Sequence, residues 1–409
     1  MLQKPAANNE VATVPGRIVS LDRARTFITL LVVLHHSVVN YTHFGNGDKA
    51  RWLGFDLVVL FNDSFFMACM FLISGLFVCQ SLTRRGPSNY LANRWWRLGV
   101  PYLASIFVLM PIAYYPTFLR YHLPGTTDFN FFHFLWRVFT VGPWPSGPAW
   151  FIWVLLAFDA VAALLWKIVP GAIEGAGRAI YALCYRPGVA FVAFLVFSLI
   201  VYAPMRLWVG DAAWLEPGGY PLPIQTSRIF LYSGYFLVGV GIGAMDLRSG
   251  IFAENGELAA RWKIWLAFAL LFYSGILALI YVKHSVLPDP NSQPQWWRVA
   301  YALAFALFSG AMAFAEPGFF LRTAKLPLRL MDAMRPSAYG IFLVHYIFII
   351  WLQYAVYDPP LSPFLKFAIV FTGTLAASWV TVILLRKVPV IGRMILDSRV
   401  SDIRNGRSN

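Results

Sequence analysis

The chain has 409 residues, of which 59% are hydrophobic and only 13% are charged, and its formal net charge is +14. Soluble domains carry about 25% charged residues, so this composition excludes a soluble globular protein and indicates an integral membrane protein. So basic a net charge would suggest a nucleic-acid partner in a soluble protein. Here the placement of the Lys and Arg residues predicts a lipid bilayer as the partner and no nucleic acid.

Ten apolar runs are close to the roughly 20 residues that an α-helix needs to cross a bilayer. We therefore predict an all-α integral membrane protein, a bundle of about ten transmembrane helices. The runs cover residues 27–44, 55–79, 98–116, 148–169, 189–208, 228–246, 264–282, 298–315, 338–357 and 363–385. If the N-terminus is cytoplasmic, most of the 33 Lys and Arg residues fall on the cytoplasmic side, as the positive-inside rule requires. Both termini are then cytoplasmic, with tails at 1–24 and 387–409 around a membrane domain at 25–386.

The first predicted span carries a polar stripe. Arg25 and His36 are eleven residues apart, which returns a helix to nearly the same face about 16 Å further along its axis. His35 points about a quarter-turn away from that face. The face also holds Asp22, Thr29, Asn40 and His43. Such a stripe must face the bundle interior or water rather than lipid.

This alignment predicts chemistry for two of the residues. A neutral imidazole is the usual general base near neutral pH, and a guanidinium at the cytoplasmic surface is suited to phosphate groups. We therefore interpret His36 as a base and Arg25 as a phosphate ligand. A helix-packing role for His36 and simple membrane anchoring by Arg25 are the alternatives.

The second span contains the phrase FNDSFFMACMFLISG. Asp63 and His36 lie at similar predicted depths, so Asp63 could orient His36 or stabilise its charge; a solvated position at the membrane interface is the alternative. Ser74 and Gly75, near the inner end, predict the close approach of another helix.

Two later segments add basic candidates. Arg94 and Arg97 share a helical face in RRGPSNYLANRWWRLGVP, which we predict to be an inner loop. They could bind the phosphates of a nucleotide-containing ligand or lipid headgroups. His345 lies in the ninth span with no neighbouring charge in sequence, where helix packing is the simpler interpretation. The cysteines, Cys69, Cys79 and Cys184, have no metal-like spacing, so we expect free thiols and no metal site.

Four phrases of this chain, taken in order, resemble the membrane acyltransferase family 3. They are LDRARTFITLLVVLHH with its Arg–ten residues–His spacing, MFLISG, RWWRLGVP and AYGIFLVH, which ends at His345. The residue patterns of FFMACMFLISGLF and PAWFIWVLLAFD resemble those of the branch that contains the glucan-biosynthesis C proteins. The chain departs from the family pattern at Ala68, at Asp63 and Ser64, and at Ala338.

The resemblance implies an O-acyltransferase of the bacterial inner membrane. Its donor would be a cytosolic acyl-CoA, acetyl-CoA or succinyl-CoA, with no permanently bound cofactor, and its acceptor an extracytoplasmic glycan such as a periplasmic glucan or surface polysaccharide. Arg25, Arg94 and Arg97 would hold the CoA phosphates. His36 would act as general base or carry the acyl group transiently, with Asp63 and His345 as further site residues.

The alternative from another class is a secondary transporter whose intramembrane histidines relay protons. Transporters often contain inverted repeats with Gly- or Pro-broken spans at matching positions. The sequence contains no such repeat, which counts against this alternative.

Overall fold

The computed structural model describes residues 19–395 except 46, 122–129, 143, 212, 217–219, 246, 248–249 and 290–291. The protein is an all-α, multipass membrane protein. Its helices are α1 (Val19–Val38), α2 (Leu53–Asp63), α3 (Phe66–Gly75), α4 (Val78–Arg85), α5 (Pro87–Arg94), α6 (Val100–Ala104), α7 (Met110–Tyr121), α8 (Phe131–Thr140), α9 (Trp150–Ile168), α10 (Pro170–Cys184), α11 (Pro187–Val209), α12 (Ile229–Gly243), α13 (Glu257–Ala260), α14 (Trp262–Ser285), α15 (Gln295–Arg322), α16 (Arg329–Met334), α17 (Ala338–Ala355), α18 (Pro363–Leu385) and α19 (Pro389–Ile395). Two short antiparallel strands, β1 (Trp214–Leu215) and β2 (Ile224–Gln225), pair before α12.

Eight helical segments among the described residues are long and apolar enough to cross a membrane, against the ten predicted. Helices also occupy the first and sixth predicted spans, but they are not among the eight segments that are long and apolar enough. Helix α1 contains Asp22, Arg23 and Arg25 within its 20 residues, and α12 is only 15 residues long. The charged residues of α1 and the short length of α12 therefore explain why eight segments rather than ten are counted.

The segment at 84–101, predicted to be an inner loop, is helical except at Gly86. Gly86, with φ +71°, separates α4 from α5. A helical run then continues from Pro87 to Arg120, with π-helical turns at Trp95–Gly99 and Ser105–Leu109. Arg94 therefore ends one helix, and Arg97 lies on a π-helical turn.

The predicted close approach at Gly75 is confirmed. A Cβ atom added to Gly75 would collide with the backbone carbonyl of Phe236 in α12, and one added to Gly239 would collide with that of Leu72. Gly243 stands in the same relation to Leu76. Helices α3 and α12 therefore pack backbone to backbone, as small residues allow in membranes.

Helix α1 lies inside the bundle, where it contacts α2, α3, α15, α17 and α18. We call the end of the bundle at which α1 begins the proximal end and the other the distal end. At the proximal end, the buried Arg23 binds Asp332 and the backbone carbonyls of Thr323 and Ala324. At the distal end, Gln353 of α17 donates a hydrogen bond to the His36 carbonyl. Helix α1 is thus held against α17 and its neighbours at both ends.

Candidate functional site

Two histidines that are far apart in the sequence meet between α1 and α17. The ring centroids of His36 and His345 are 5.6 Å apart, and their planes are tilted by 36°. The His35 ring also lies near that of His36, with ring centroids 5.3 Å apart in an edge-to-face arrangement. The structure therefore brings together two of the histidines that the sequence made candidates, although helix packing had been the simpler interpretation of His345.

The hydrogen bonding of His345 leaves one of its nitrogens available. Its Nδ1 atom is 2.6 Å from the carbonyl oxygen of Phe342, so this nitrogen donates its proton to that carbonyl. In the neutral ring Nε2 then carries a lone pair, and this atom is buried with no hydrogen-bond partner among the described residues. The His345 side chain is 0% exposed, whereas His36 is partly exposed. A buried acceptor nitrogen next to an accessible imidazole is suited to moving or holding a proton.

Two tyrosines complete the surroundings of His36. The ring of Tyr346, the residue after His345, lies 5.3 Å from the His36 ring at an interplanar angle of 77°. The hydroxyl of Tyr346 is 3.3 Å from that of Tyr114 in α7. Gly147, at the turn before α9, lies beside the Tyr346 ring and has φ +49°. We call His36, His345, Tyr346 and Tyr114 the histidine–tyrosine cluster.

Arg25 occupies the proximal half of α1, about 16 Å along the helix axis from His36. Its guanidinium lies 4.6 Å from the ring centre of Phe77, at the break between α3 and α4, and Nη2 donates to the carbonyl of Ile73 at 3.4 Å. The side chain is partly buried. Arg25 therefore lies nearer the proximal surface than the histidine–tyrosine cluster and on the same helix.

Arg94 and Arg97 lie beside a buried carboxylate. Arg94 Nε is 3.1 Å from Asp159 Oδ2 and 3.1 Å from the Tyr90 hydroxyl, which itself donates to Asp159. The backbone carbonyl of Arg97 accepts a hydrogen bond of 2.6 Å from Tyr339, at the start of α17. The phrases RWWRLGVP and AYGIFLVH therefore touch in space.

A family model for an acyltransferase domain matches residues 18–383. The chain belongs to acyltransferase family 3. No curated protein and no solved structure gives a significant match. The match runs from the start of α1 almost to the end of α18 and includes all four phrases that carried the resemblance. The protein is therefore a membrane acyltransferase, and this membership favours group transfer over secondary transport.

Asp63 of the acyltransferase does not contact His36. Its carboxylate forms two hydrogen bonds with Arg228, at 2.9 Å and 2.5 Å, and its backbone carbonyl accepts a third at 2.9 Å. Arg228 is almost fully buried just before α12, and the Asp211 carboxylate lies 3.9 Å from its Nη2 atom. The interaction of Asp63 with His36 stays a prediction that this geometry does not support.

Sequence reasoning missed several polar residues of the acyltransferase. Asp159 ends the phrase PAWFIWVLLAFD, and an acid in an apolar run was the available signal. Arg228 is the first residue of the sixth predicted span, where a basic residue is typical of the membrane interface. Tyr346 and Tyr114 gave no signal, because tyrosine is common in membrane spans.

The described residues contain no group of three or more His, Cys, Asp or Glu side chains arranged to hold a metal ion. Cys69, Cys79 and Cys184 are free thiols. The side chains of the histidine–tyrosine cluster are imidazoles and phenols.

Proposed function

We propose that this acyltransferase moves an acetyl or succinyl group from a cytosolic acyl-CoA to a hydroxyl group of an extracytoplasmic glycan, in the inner membrane of a bacterium. The observation that carries the proposal is the contact of His345 in α17 with His36 in α1, the helix that also bears Arg25. Helix α1 thus carries both a proton acceptor, His36, and a guanidinium, Arg25. The two are separated along the helix axis, the direction in which the acyl group would cross the membrane.

The donor side of the proposal rests on charge. Acyl-CoA is anionic, and with the N-terminus in the cytoplasm the proximal end faces the cytosol and carries Arg25, Arg94 and Arg97. Guanidinium groups bind phosphates through charge-assisted, often bidentate hydrogen bonds. Asp159 already engages Arg94 through Nε, so we assign the direct phosphate contact first to Arg25.

The chemical step that we propose uses His36 as the base. His36 takes the proton from the acceptor hydroxyl while the hydroxyl oxygen attacks the thioester carbonyl carbon. The C–O bond forms, the C–S bond breaks, and the proton passes from His36 to the leaving thiolate, which gives the ester and CoA. In the alternative, His36 attacks first and carries the acyl group until the hydroxyl displaces it.

The acceptor side of the proposal rests on exposed aromatic residues near the distal end. Trp136 of α8 is 71% exposed, and Phe132 of the same helix is 76% exposed. Such rings bind the faces of sugars, and they also anchor proteins at membrane interfaces. The likeness of two sequence phrases to the glucan-biosynthesis C branch leads us to propose a glucan as the first acceptor to test.

The proposal is tested with the purified full-length protein in lipid nanodiscs. The donors are acetyl-CoA and succinyl-CoA, the acceptor is a glucose oligosaccharide, and product is measured by mass spectrometry together with free thiol release. We expect turnover in the wild type, loss of at least about 100-fold in His36→Ala, and retained turnover in the matched control His35→Ala. Full turnover without the His36 imidazole would overturn the assigned role, and no product with either donor would overturn the proposed reaction.

A further inference from the structure

Acyl transfer needs a hydrogen-bond donor for the carbonyl oxygen, which becomes negatively charged when the acceptor attacks. Preorganised donors at this position supply one of the largest single contributions to catalysis. Backbone N–H groups serve this purpose in many enzymes, but those in the interior of α1 and α17 are already bonded within their helices. Within α1 and α17, a donor beside His36 is therefore a side chain.

The rings that contact His36 allow this donor to be identified. His345 uses its Nδ1 proton for the Phe342 carbonyl, so its Nε2 can only accept. His35 lies toward α3, where its ring is 5.3 Å from that of Phe66. Tyr346 lies beside both His36 and His345, with ring centroids 5.3 Å and 6.2 Å away. Its phenol is therefore the candidate donor.

The contact between the two tyrosines leaves one proton available. Each hydroxyl carries one hydrogen, and either atom can donate across the 3.3 Å separation of Tyr114 and Tyr346. When the Tyr114 hydroxyl donates to Tyr346, the Tyr346 hydrogen is available to a substrate oxygen. This contact also polarises the Tyr346 hydroxyl and restricts its orientation.

We propose that the Tyr346 hydroxyl is the oxyanion donor of this acyltransferase and that Tyr114 is the positioning residue that orients it. This role rests on the proposed function of His36. When the acceptor oxygen bonds to the thioester carbon and its proton passes to His36, the carbonyl oxygen gains the negative charge and accepts the Tyr346 hydrogen bond. As the C–S bond breaks, the carbonyl double bond re-forms and the thiolate takes the proton from His36. Tyr346 ends the step with its own proton.

The first experiment replaces the phenol alone. Tyr346→Phe keeps the aromatic ring against His36 and removes only the hydroxyl. Loss of one oxyanion donor lowers kcat by about 100- to 1000-fold, so we expect a decrease in that range with an unchanged KM for acyl-CoA. The thermal unfolding midpoint should fall only slightly, because one neutral hydrogen bond to Tyr114 is lost. Tyr354→Phe is the matched control, because Tyr354 lies on the same helix and is 40% exposed. The control should keep the wild-type kcat.

The second experiment tests the positioning role of Tyr114. Tyr114→Phe removes one neutral hydrogen bond to Tyr346, which corresponds to a decrease in kcat of about fivefold. The double variant should be no slower than Tyr346→Phe alone, because Tyr114 acts only through the Tyr346 hydroxyl. Independent, multiplicative effects of the two substitutions would overturn the positioning role.

The outcomes separate this proposal from the function on which it rests. A Tyr346→Phe protein with kcat within twofold of the wild type, when His36→Ala has lost turnover, overturns the donor role and leaves the function intact. An increase in KM with unchanged kcat assigns Tyr346 to substrate binding and also overturns the donor role. Absence of acyl transfer in the wild type overturns both.

Discussion

The ion pairs of this acyltransferase and its histidine–tyrosine cluster show two ways of placing polar groups inside a membrane protein. Three buried cations and the partly buried Arg94 are each bound to a carboxylate from a different part of the chain. These pairs are Arg23 with Asp332, Arg94 with Asp159, Arg228 with Asp63, and Lys366 with Asp48. By contrast, among the described residues no carboxylate lies within ion-pair distance of the rings of His36 and His345.

The difference separates structural polar groups from chemical ones. A paired charge connects two segments, and removing one partner leaves an uncompensated charge. The unpartnered Nε2 of His345 costs stability, and beside the partly exposed His36 ring it can take part in proton transfer. We therefore expect changes to the ion pairs to lower stability first and changes to the cluster to lower turnover first.

The largest effect on turnover in this comparison is expected for His345→Asn. The asparagine amide can still donate to the Phe342 carbonyl, as His345 Nδ1 does, but it provides no nitrogen in place of Nε2. If Nε2 takes part in proton transfer, kcat falls by about 100-fold or more while the thermal unfolding midpoint stays near that of the wild type. Wild-type kcat in this variant would make His345 a packing residue, as its sequence context first suggested.

The next effect is expected for Arg25→Ala, with Arg23→Ala as its matched partner two residues away. Loss of a charge-assisted hydrogen bond to a phosphate raises the KM for acyl-CoA by about tenfold or more, with a smaller loss of stability than in Arg23→Ala. Arg23→Ala should lower the thermal unfolding midpoint and leave the KM for acyl-CoA near the wild-type value. The reason is that Arg23 binds Asp332 and two backbone carbonyls. Steady-state kinetics and thermal unfolding of both variants are the measurements. An unchanged KM in Arg25→Ala would leave Arg25 as a membrane anchor.

A stability effect is expected for Asp63→Asn, which breaks the pair with Arg228. The buried guanidinium loses its charge partner, and we expect the free energy of unfolding to fall by about 2 kcal/mol, less than for a fully buried pair because Asp63 is partly exposed. Turnover of the folded protein should change little. The double variant Asp63→Asn, Arg228→Met should regain part of the stability, because neither charge then remains. A large loss of kcat with unchanged stability would restore the predicted role of Asp63 toward His36.

Sequence reasoning worked where helix geometry alone decides the answer. The common face of Arg25 and His36 follows from 3.6 residues per turn, and the close approach of another helix at Gly75 follows from the need for small residues where backbones meet. Acyltransferase family membership followed from four ordered phrases, and the family match confirms it.

The contacts between side chains of different helices could not be predicted from the sequence in this way. His345 reaches His36 because α17 packs on α1, although 309 residues separate them. The partner of Asp63 is Arg228, on a helix 165 residues further along the chain. Helical periodicity states which face a side chain occupies, but not which helix covers that face.

The smallest effect is expected for Glu316, which belongs to neither class of the comparison. Its side chain is buried in α15, and both carboxylate oxygens lack a hydrogen-bond partner in the part of the chain that the structure describes. Glu316→Gln keeps the shape and removes any charge, but leaves an amide that also lacks partners, so we expect only about 1 kcal/mol of added stability. Thermal unfolding should show a slightly raised midpoint with kcat within twofold of the wild type, whereas the control Glu316→Asp, which keeps the carboxyl, should show no increase. Loss of turnover in Glu316→Gln would instead show that this carboxyl, like the imidazoles of the histidine–tyrosine cluster, takes part in the reaction.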